Sequence, residues 1–189
     1  MTVDHNARRQ RIAEVTAEVI AREGLEAATI RRISAELGGP TKTITYYFSD
    51  KQELLRFTWE HMAELYYEKV SREPVNIIDS LLAMTTADEK SILRWRVYVA
   101  FWDRATRDAE FAQAQRTHMD MTLKLLGNLV RTLAPADTDV ERTSLLLNAL
   151  VQGISLQSLV DQERWPRERI RSALTEQVAM LLPGIKLPS

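Results

Sequence analysis

The sequence predicts an all-α protein in two parts, an N-terminal three-helix helix-turn-helix domain and a C-terminal helical bundle for ligand binding and dimerisation. Three observations predict it. Apolar residues recur at three- and four-residue spacing along most of the 189-residue chain, with no strand-like alternation and no internal repeat. Capping residues, glycines and prolines punctuate that pattern at helix-length intervals. The stretch 29–55, TIRRISAELGGPTKTITYYFSDKQELL, packs two short helices around a glycine turn. The expected division is residues 1–50 for the first domain and 51–189 for the second, with a helix over 50–70 linking them.

Residues 1 to about 7 read as a loose arm. Helix one runs from Ala7 to Glu23, with Ile12, Val15, Val19 and Ile20 as its apolar stripe, and Gly24 ends it. A second helix starts at Thr29, whose hydroxyl suits a cap, and buries Ile30, Ile33 and Leu37. Gly38 and Gly39 stop it, because glycine reaches the left-handed region without steric cost. A third, very short helix from Pro40 to Tyr46 exposes hydroxyls, a cation and phenols, while Phe48 anchors the core behind it.

Ser49 to Gln52 forms a capping box for the fourth helix, which carries Leu54, Leu55, Phe57, Met62 and Leu65. That helix is longer than a three-helix core requires. Pro74 opens a short helix through Ile77, Ile78, Leu81 and Leu82. A box at Thr86–Glu89 opens a helix over 88–104 that is apolar around most of its circumference. The next helix, over 108–133, aligns Phe111, His118, Thr122, Leu125 and Leu129. A third box, Thr138 to Glu141, opens a strongly apolar helix ending at Val160. Pro166 begins the last helix, with Ile170, Leu174, Val178 and Leu181, which stops at Pro183-Gly184.

Composition narrows the function. Apolar residues at 45% and charged residues at 27% are ordinary globular values. The absence of cysteine excludes disulfides and any cysteine-based zinc site or nucleophile. His5, His61 and His118 are far apart, with no metal-ligand spacing and no phosphate loop. No catalytic residue, metal or cofactor is assigned, and no enzyme activity is expected. No signal core and no membrane-length apolar run is read, so a cytoplasmic protein is expected.

A net charge of −1 and a pI near 6.3 do not give the usual whole-domain footprint for nucleic acid. Cations do cluster locally: Arg8, Arg9 and Arg11 at the start, then Arg31, Arg32, Lys42 and Lys51 in the motif. Glu14, Glu18 and Glu36 can face elsewhere on their helices. The charges alone read equally as a solvated helix surface. The motif adds the residue types that donate to phosphates and base edges, and nominates Thr29, Arg31, Thr41, Lys42, Thr43, Thr45, Tyr46, Tyr47 and Lys51 for DNA. Thr29 would hold a phosphate at a helix N-terminus and Tyr47 and Lys51 the backbone. Thr41, Lys42, Thr43 and Tyr46 would face bases.

This stretch resembles the DNA-binding domain of the tetracycline-repressor (TetR) family of bacterial regulators. Thr29, Ala35, Gly38, Thr43-Ile44-Thr45-Tyr46-Tyr47-Phe48, Lys51 and Leu54 match that family's template at fixed spacing. Gly39 and Pro40 stand where Val-Ser is usual, and Thr45 replaces the commoner tyrosine. The segments RVYVAFW at 96–102 and GISLQSLVD at 153–161 are similar to the ligand domain of a BetI-like subgroup, some of whose members sense choline. The resemblance implies a repressor that binds a double-stranded operator and is released by a small-molecule effector.

Surplus apolar surface on the helix ending at Val160 and on the final helix predicts a homodimer through a four-helix bundle. Leu146, Leu150, Gly153, Ile154, Gln157, Ile170, Leu174 and Val178 are its expected interface. Two recognition helices about 34–36 Å apart, or a multiple, would require a palindromic operator.

For a ligand, Trp95, Tyr98 and Trp102 at helical spacing either line an aromatic pocket, even one for a cation, or form a plain aromatic core. His118 and Thr122 either meet a ligand or find protein partners on a buried stripe. The competing reading is a helical small-molecule-binding protein or enzyme without sequence-specific DNA binding.

Overall fold

The computed structural model describes residues 2–72 and 76–185. Among them are nine helices and no strand: α1 (Thr2–Glu23), α2 (Ile30–Glu36), α3 (Thr41–Tyr47), α4 (Lys51–Arg72), α5 (Ile77–Met84), α6 (Glu89–Ala105), α7 (Ala109–Leu133), α8 (Val140–Val160) and α9 (Arg167–Leu181). The chain divides into two units, Met1–Glu68 with Arg96–Gln113, and Lys69–Trp95 with Ala114–Ser189. The first unit thus extends beyond the expected 1–50 segment to take in most of α4.

In the first unit α1 packs against α2 and α3, and α2 against α3. Ile12, Val15, Val19 and Ile20 of α1 are buried with Ile33, Ile44, Phe48 and Leu54. Ile30 and Leu37 are only half-buried, since α2 is two turns long and Leu37 is its C-cap. The expected loose arm is instead the start of α1, which begins at Thr2.

The capping residues differ from those expected. Asp50, not Ser49, caps α4: its carboxylate accepts from the Glu53 amide at 2.8 Å, while the Glu53 carboxylate accepts from the Ser49 amide at 2.7 Å. Asp88 caps α6 in place of Thr86, accepting from the Ser91 amide at 2.8 Å. Asp139 caps α8 in place of Thr138, accepting from the Arg142 amide at 3.1 Å. A carboxylate accepts more strongly than a hydroxyl and is favoured by the helix dipole, so the aspartate one or two residues after each hydroxyl takes the position. Pro40 and Pro166 are likewise one position earlier than expected, each preceding its helix with extended backbone. Pro74 lies outside the described residues; α5 is capped by Asn76, whose side chain accepts from the Asp79 amide.

In the second unit α5 packs against α8 and α9, and α8 against α9. Ile77, Ile78, Leu81 and Leu82 are buried with Leu147, Val151, Leu174 and Val178. Arg171 on α9 binds Asp79 on α5 at 2.5 Å, and Thr86 donates to Ser158 of α8 at 2.7 Å.

On α7 the buried residues are Phe111, Gln115, Thr122, Leu126, Gly127 and Val130, a stripe rotated slightly from the expected one through Leu125 and Leu129, which are half-buried. Contrary to expectation, one helix, α8, is long and apolar enough to cross a membrane by length and composition. It carries Thr143, Ser144, Asn148, Ser155 and Ser158 on its buried side, as a packed helix of a folded unit can.

Candidate nucleic-acid interface

The exposed face of α3 is built by two apolar residues on its other side. Ile44 and Phe48 are 0% and 1% exposed, which fixes the rotation of this two-turn helix. Thr41, Lys42, Thr45 and Tyr46 then face outward, with Thr43 and Tyr47 partly covered. Tyr46 is 74% exposed, an unusual setting for a large ring in a monomer and a suitable one for a base or sugar contact.

The turn that aims α3 depends on Gly38, whose φ of +68° is left-handed. Gly38 and Gly39 donate their amides to Ala35 and Ser34 carbonyls, closing α2 before Pro40 leads into α3. Thr29 caps α2: its hydroxyl oxygen accepts from the Arg32 amide at 3.1 Å. Arg31 is exposed beside it.

Not every cation in the motif faces outward. Arg32 binds Glu23 and Glu36, both at 2.6 Å, and Arg22 also reaches both acids. Hydrogen bonds from Arg32 and then Arg22 hold the Glu23 carboxyl down at about 2. This quartet locks α2 to the end of α1 and consumes the charge of Arg32. Arg9, read with Arg8 and Arg11 as a basic cluster, points inward over Phe48 and Phe57 and binds Glu53. Lys51 reaches the Glu26 carbonyl at 3.5 Å and lines a cleft of about 130 Å³ with Leu25, Gln52, Leu55, Arg104 and Phe111.

One residue near this face was missed in the sequence. The His5 ring lies 4.8 Å from Tyr47 and 6.1 Å from Tyr46, and the two tyrosine rings meet edge to face at 4.9 Å. Only the early start of α1 places His5 there. Thr2 to Asn6 carry no apolar periodicity to announce it.

Two sequence profiles cover most of the chain. Residues 12–56 match the one described as "Bacterial regulatory proteins, tetR family", and residues 76–183 match "BetI-type transcriptional repressor, C-terminal". The chain is a TetR-family transcriptional regulator.

Among curated relatives, this regulator is 28% identical to the HTH-type transcriptional regulator PksA of Bacillus subtilis, over 93% of this chain and 90% of that one. It is 26% identical to BetI of Vibrio campbellii, over 89% of each. Its fold matches a transcriptional regulator from Rhodococcus sp. Rha1 with a TM-score of 0.84 at 23% identity, covering 96% of this chain and 99% of that one. It also matches a regulator from Saccharomonospora viridis, solved in complex with choline, at 0.81 and 20% identity with the same coverage.

The five nominated ligand residues fall in different units of this regulator. Tyr98 and Trp102 belong to the first, where Tyr98 stacks on Trp59 at 5.6 Å and lies 5.8 Å from Trp102. Trp59 in turn meets Phe101 at 5.1 Å, and Phe101 meets Phe111 at 5.6 Å. These rings pack on one another. Trp95, His118 and Thr122 belong to the second unit. Trp95 is buried and its indole N–H donates to the Met84 carbonyl at 2.9 Å. Thr122 donates to the His118 carbonyl at 3.1 Å. Burial, and then the charge of Arg94, push the His118 imidazole down to about 4, so it is neutral at ordinary pH.

The nominated dimer residues also separate. Ile154, Ile170, Leu174 and Val178 are buried inside the second unit itself, so they belong to the core rather than to a surface for a second copy. Leu150 is half-buried. Leu146, Gly153 and Gln157 are exposed, on a stripe with Leu145, Ala149, Leu156 and Val160 that the sequence reading covered only in part.

Proposed function

We propose that this regulator is a cytoplasmic repressor which binds a palindromic operator as a homodimer and leaves it when a small-molecule effector binds. Residues 1–50, together with Lys51 at the start of the linking helix, carry the DNA contacts, and residues 51–189 carry effector binding and dimerisation. The observation that carries the reading is the face of α3: hydroxyls, a lysine and a 74%-exposed tyrosine outward, with Ile44 and Phe48 inward. Thr41, Lys42, Thr43, Thr45 and Tyr46 are assigned to the major groove, and Thr29, Arg31, Tyr47 and Lys51 to the sugar-phosphate backbone.

Dimerisation is assigned to the outward stripe of α8. Leu145, Leu146, Leu156 and Val160 are 48%, 41%, 52% and 86% exposed, an apolar row too large to leave in water. Gly153 lies in its middle, where a built Cβ would meet nothing within 4 Å, leaving room for a second helix to approach. Two copies pairing along this row would present two recognition helices related by a two-fold axis. An effector that prefers a different spacing of those helices would release the DNA.

The test is a gel-shift titration of the DNA upstream of the gene itself, with molar mass measured in parallel by light scattering. Saturable binding of one dimer to an inverted repeat is the expected result. Binding that ignores sequence, or by a monomer, overturns the reading.

A further inference from the structure

We propose that His5 is a further DNA-binding residue, donating from its imidazole to a backbone phosphate beside the one assigned to Tyr47. The proposal rests on the regulator reading above and adds the start of α1 to its DNA contacts.

The place of His5 follows from the helix it stands on. His5, Arg9 and Ile12 are four and three residues apart, so they share one face of α1. Ile12 is buried in the core of the first unit. One turn nearer the N-terminus, Arg9 covers Phe48, the residue that ends α3. One turn further, the His5 ring meets Tyr47 and Tyr46, the last two residues of α3. The face that anchors α1 at Ile12 therefore runs along the end of α3 and reaches its outward side at His5.

Contact with the phenols does not bury the ring, and His5 is exposed. Its body packs on Tyr47, while its ring nitrogens make no hydrogen bond among the described residues. An imidazole carries at least one N–H donor. Held by ring contacts and open to solvent, that donor is organised before any partner arrives. The surrounding charge favours an anion. Between Asp4 and Glu14 the chain holds three arginines and no acid. Arg9 and Arg11 are paired with Glu53 and Glu14, and Arg8 is exposed one turn from His5. Phosphate is the anion this edge meets when α3 enters a groove. A ring that only propped the tyrosines would need no nitrogen, and phenylalanine would serve as well.

The experiment compares the full chain with His5→Ala, His5→Phe and His5→Arg. Fluorescence anisotropy is measured over a salt series on a duplex from the DNA upstream of the gene and on a scrambled duplex. The alanine and phenylalanine variants are expected to weaken both duplexes by about three- to tenfold. The arginine variant is expected to bind at least as tightly as the parent, with a salt slope steeper by about 1 than that of His5→Ala.

Parental affinity in His5→Phe overturns the proposal and leaves the ring as packing alone. So does parental affinity in His5→Ala, or one salt slope shared by the arginine and alanine variants. Melting curves accompany each protein, and the phenylalanine and arginine variants keep the side-chain bulk should His5→Ala unfold. A parent that binds neither duplex refutes the regulator reading itself, whereas parental binding that no variant alters refutes only this proposal.

Discussion

The guanidinium of Arg9 lies 4.6 Å from the centre of the Phe48 ring while one of its nitrogens holds the Glu53 carboxylate at 2.9 Å. It also covers Phe57, at 4.5 Å. One side chain of α1 therefore pins the residue that ends α3 to the first turn of α4. Both charges are about three-quarters covered. Replacing Arg9 by Met keeps the stem and removes the ion pair and the cation–π contacts, at an expected cost of about 1–3 kcal/mol. Denaturant unfolding measures it. Because Arg9 faces inward, the slope of DNA affinity against salt should stay at the parent value; a slope flattened by one phosphate would return Arg9 to the DNA face.

Lys42 and Lys51 separate by where they stand. Lys42 is exposed in the first turn of α3, whereas Lys51 opens α4 with its ammonium close to the Glu26 carbonyl. Lys51→Ala is expected to weaken all DNA sequences alike and to reduce the salt slope by about 1. Lys42→Ala is expected to cost about 1–3 kcal/mol of discrimination between operator and mutated operator. Fluorescence anisotropy over a salt series with both DNAs distinguishes the two, and unchanged binding in both variants would refute the assignments.

Legibility in the sequence tracks how unambiguous the local chemistry is. The face of α3 was readable because Ile44 and Phe48 stand alone among polar groups, so only one rotation buries both. The early start of α1 was not, since Thr2 to Asn6 show neither periodicity nor a cap. The apolar row Ile170, Leu174 and Val178 looks the same in sequence whether it meets α5 of its own chain or a second copy; only the packing of α9 on α5 decides it. The aromatic set was ambiguous for a related reason. Trp95, Tyr98 and Trp102 share helical spacing, yet Trp95 turns its indole to the Met84 carbonyl while Tyr98 and Trp102 join the rings around Trp59.

That difference between α8 and α9 gives two contrasting variants. Leu156 is 52% exposed on the outward row of α8, and Leu174 is 0% exposed on α9. Leu156→Glu is expected to leave the melting temperature nearly unchanged, to shift the molar mass to that of a monomer, and to reduce operator affinity at least tenfold. Leu174→Ala leaves a cavity and is expected to cost about 2–5 kcal/mol of stability without changing the association state at temperatures where it is folded. Light scattering and denaturant unfolding on both proteins check it. A Leu156→Glu dimer that still binds DNA normally would move the interface elsewhere.

The pH dependence of folding should carry the signature of His118. Its imidazole titrates at about 4 in the folded chain, against an ordinary 6.5, because burial and then the charge of Arg94 disfavour the imidazolium. The unfolded chain therefore binds the proton first as pH falls. Stability is complete above about pH 6.5 and declines through the window down to about pH 4, by up to about 3 kcal/mol. Glu23, held down at about 2, acts in a lower range, below its ordinary 4.5, so between pH 5 and 6.5 the histidine is the group to watch. Urea unfolding of the parent and of His118→Gln at half-unit steps from pH 5 to 7 is the measurement. The parent should lose stability toward pH 5 and the glutamine variant should lose clearly less. Identical curves would mean that His118 is hydrated and free to protonate in the folded chain.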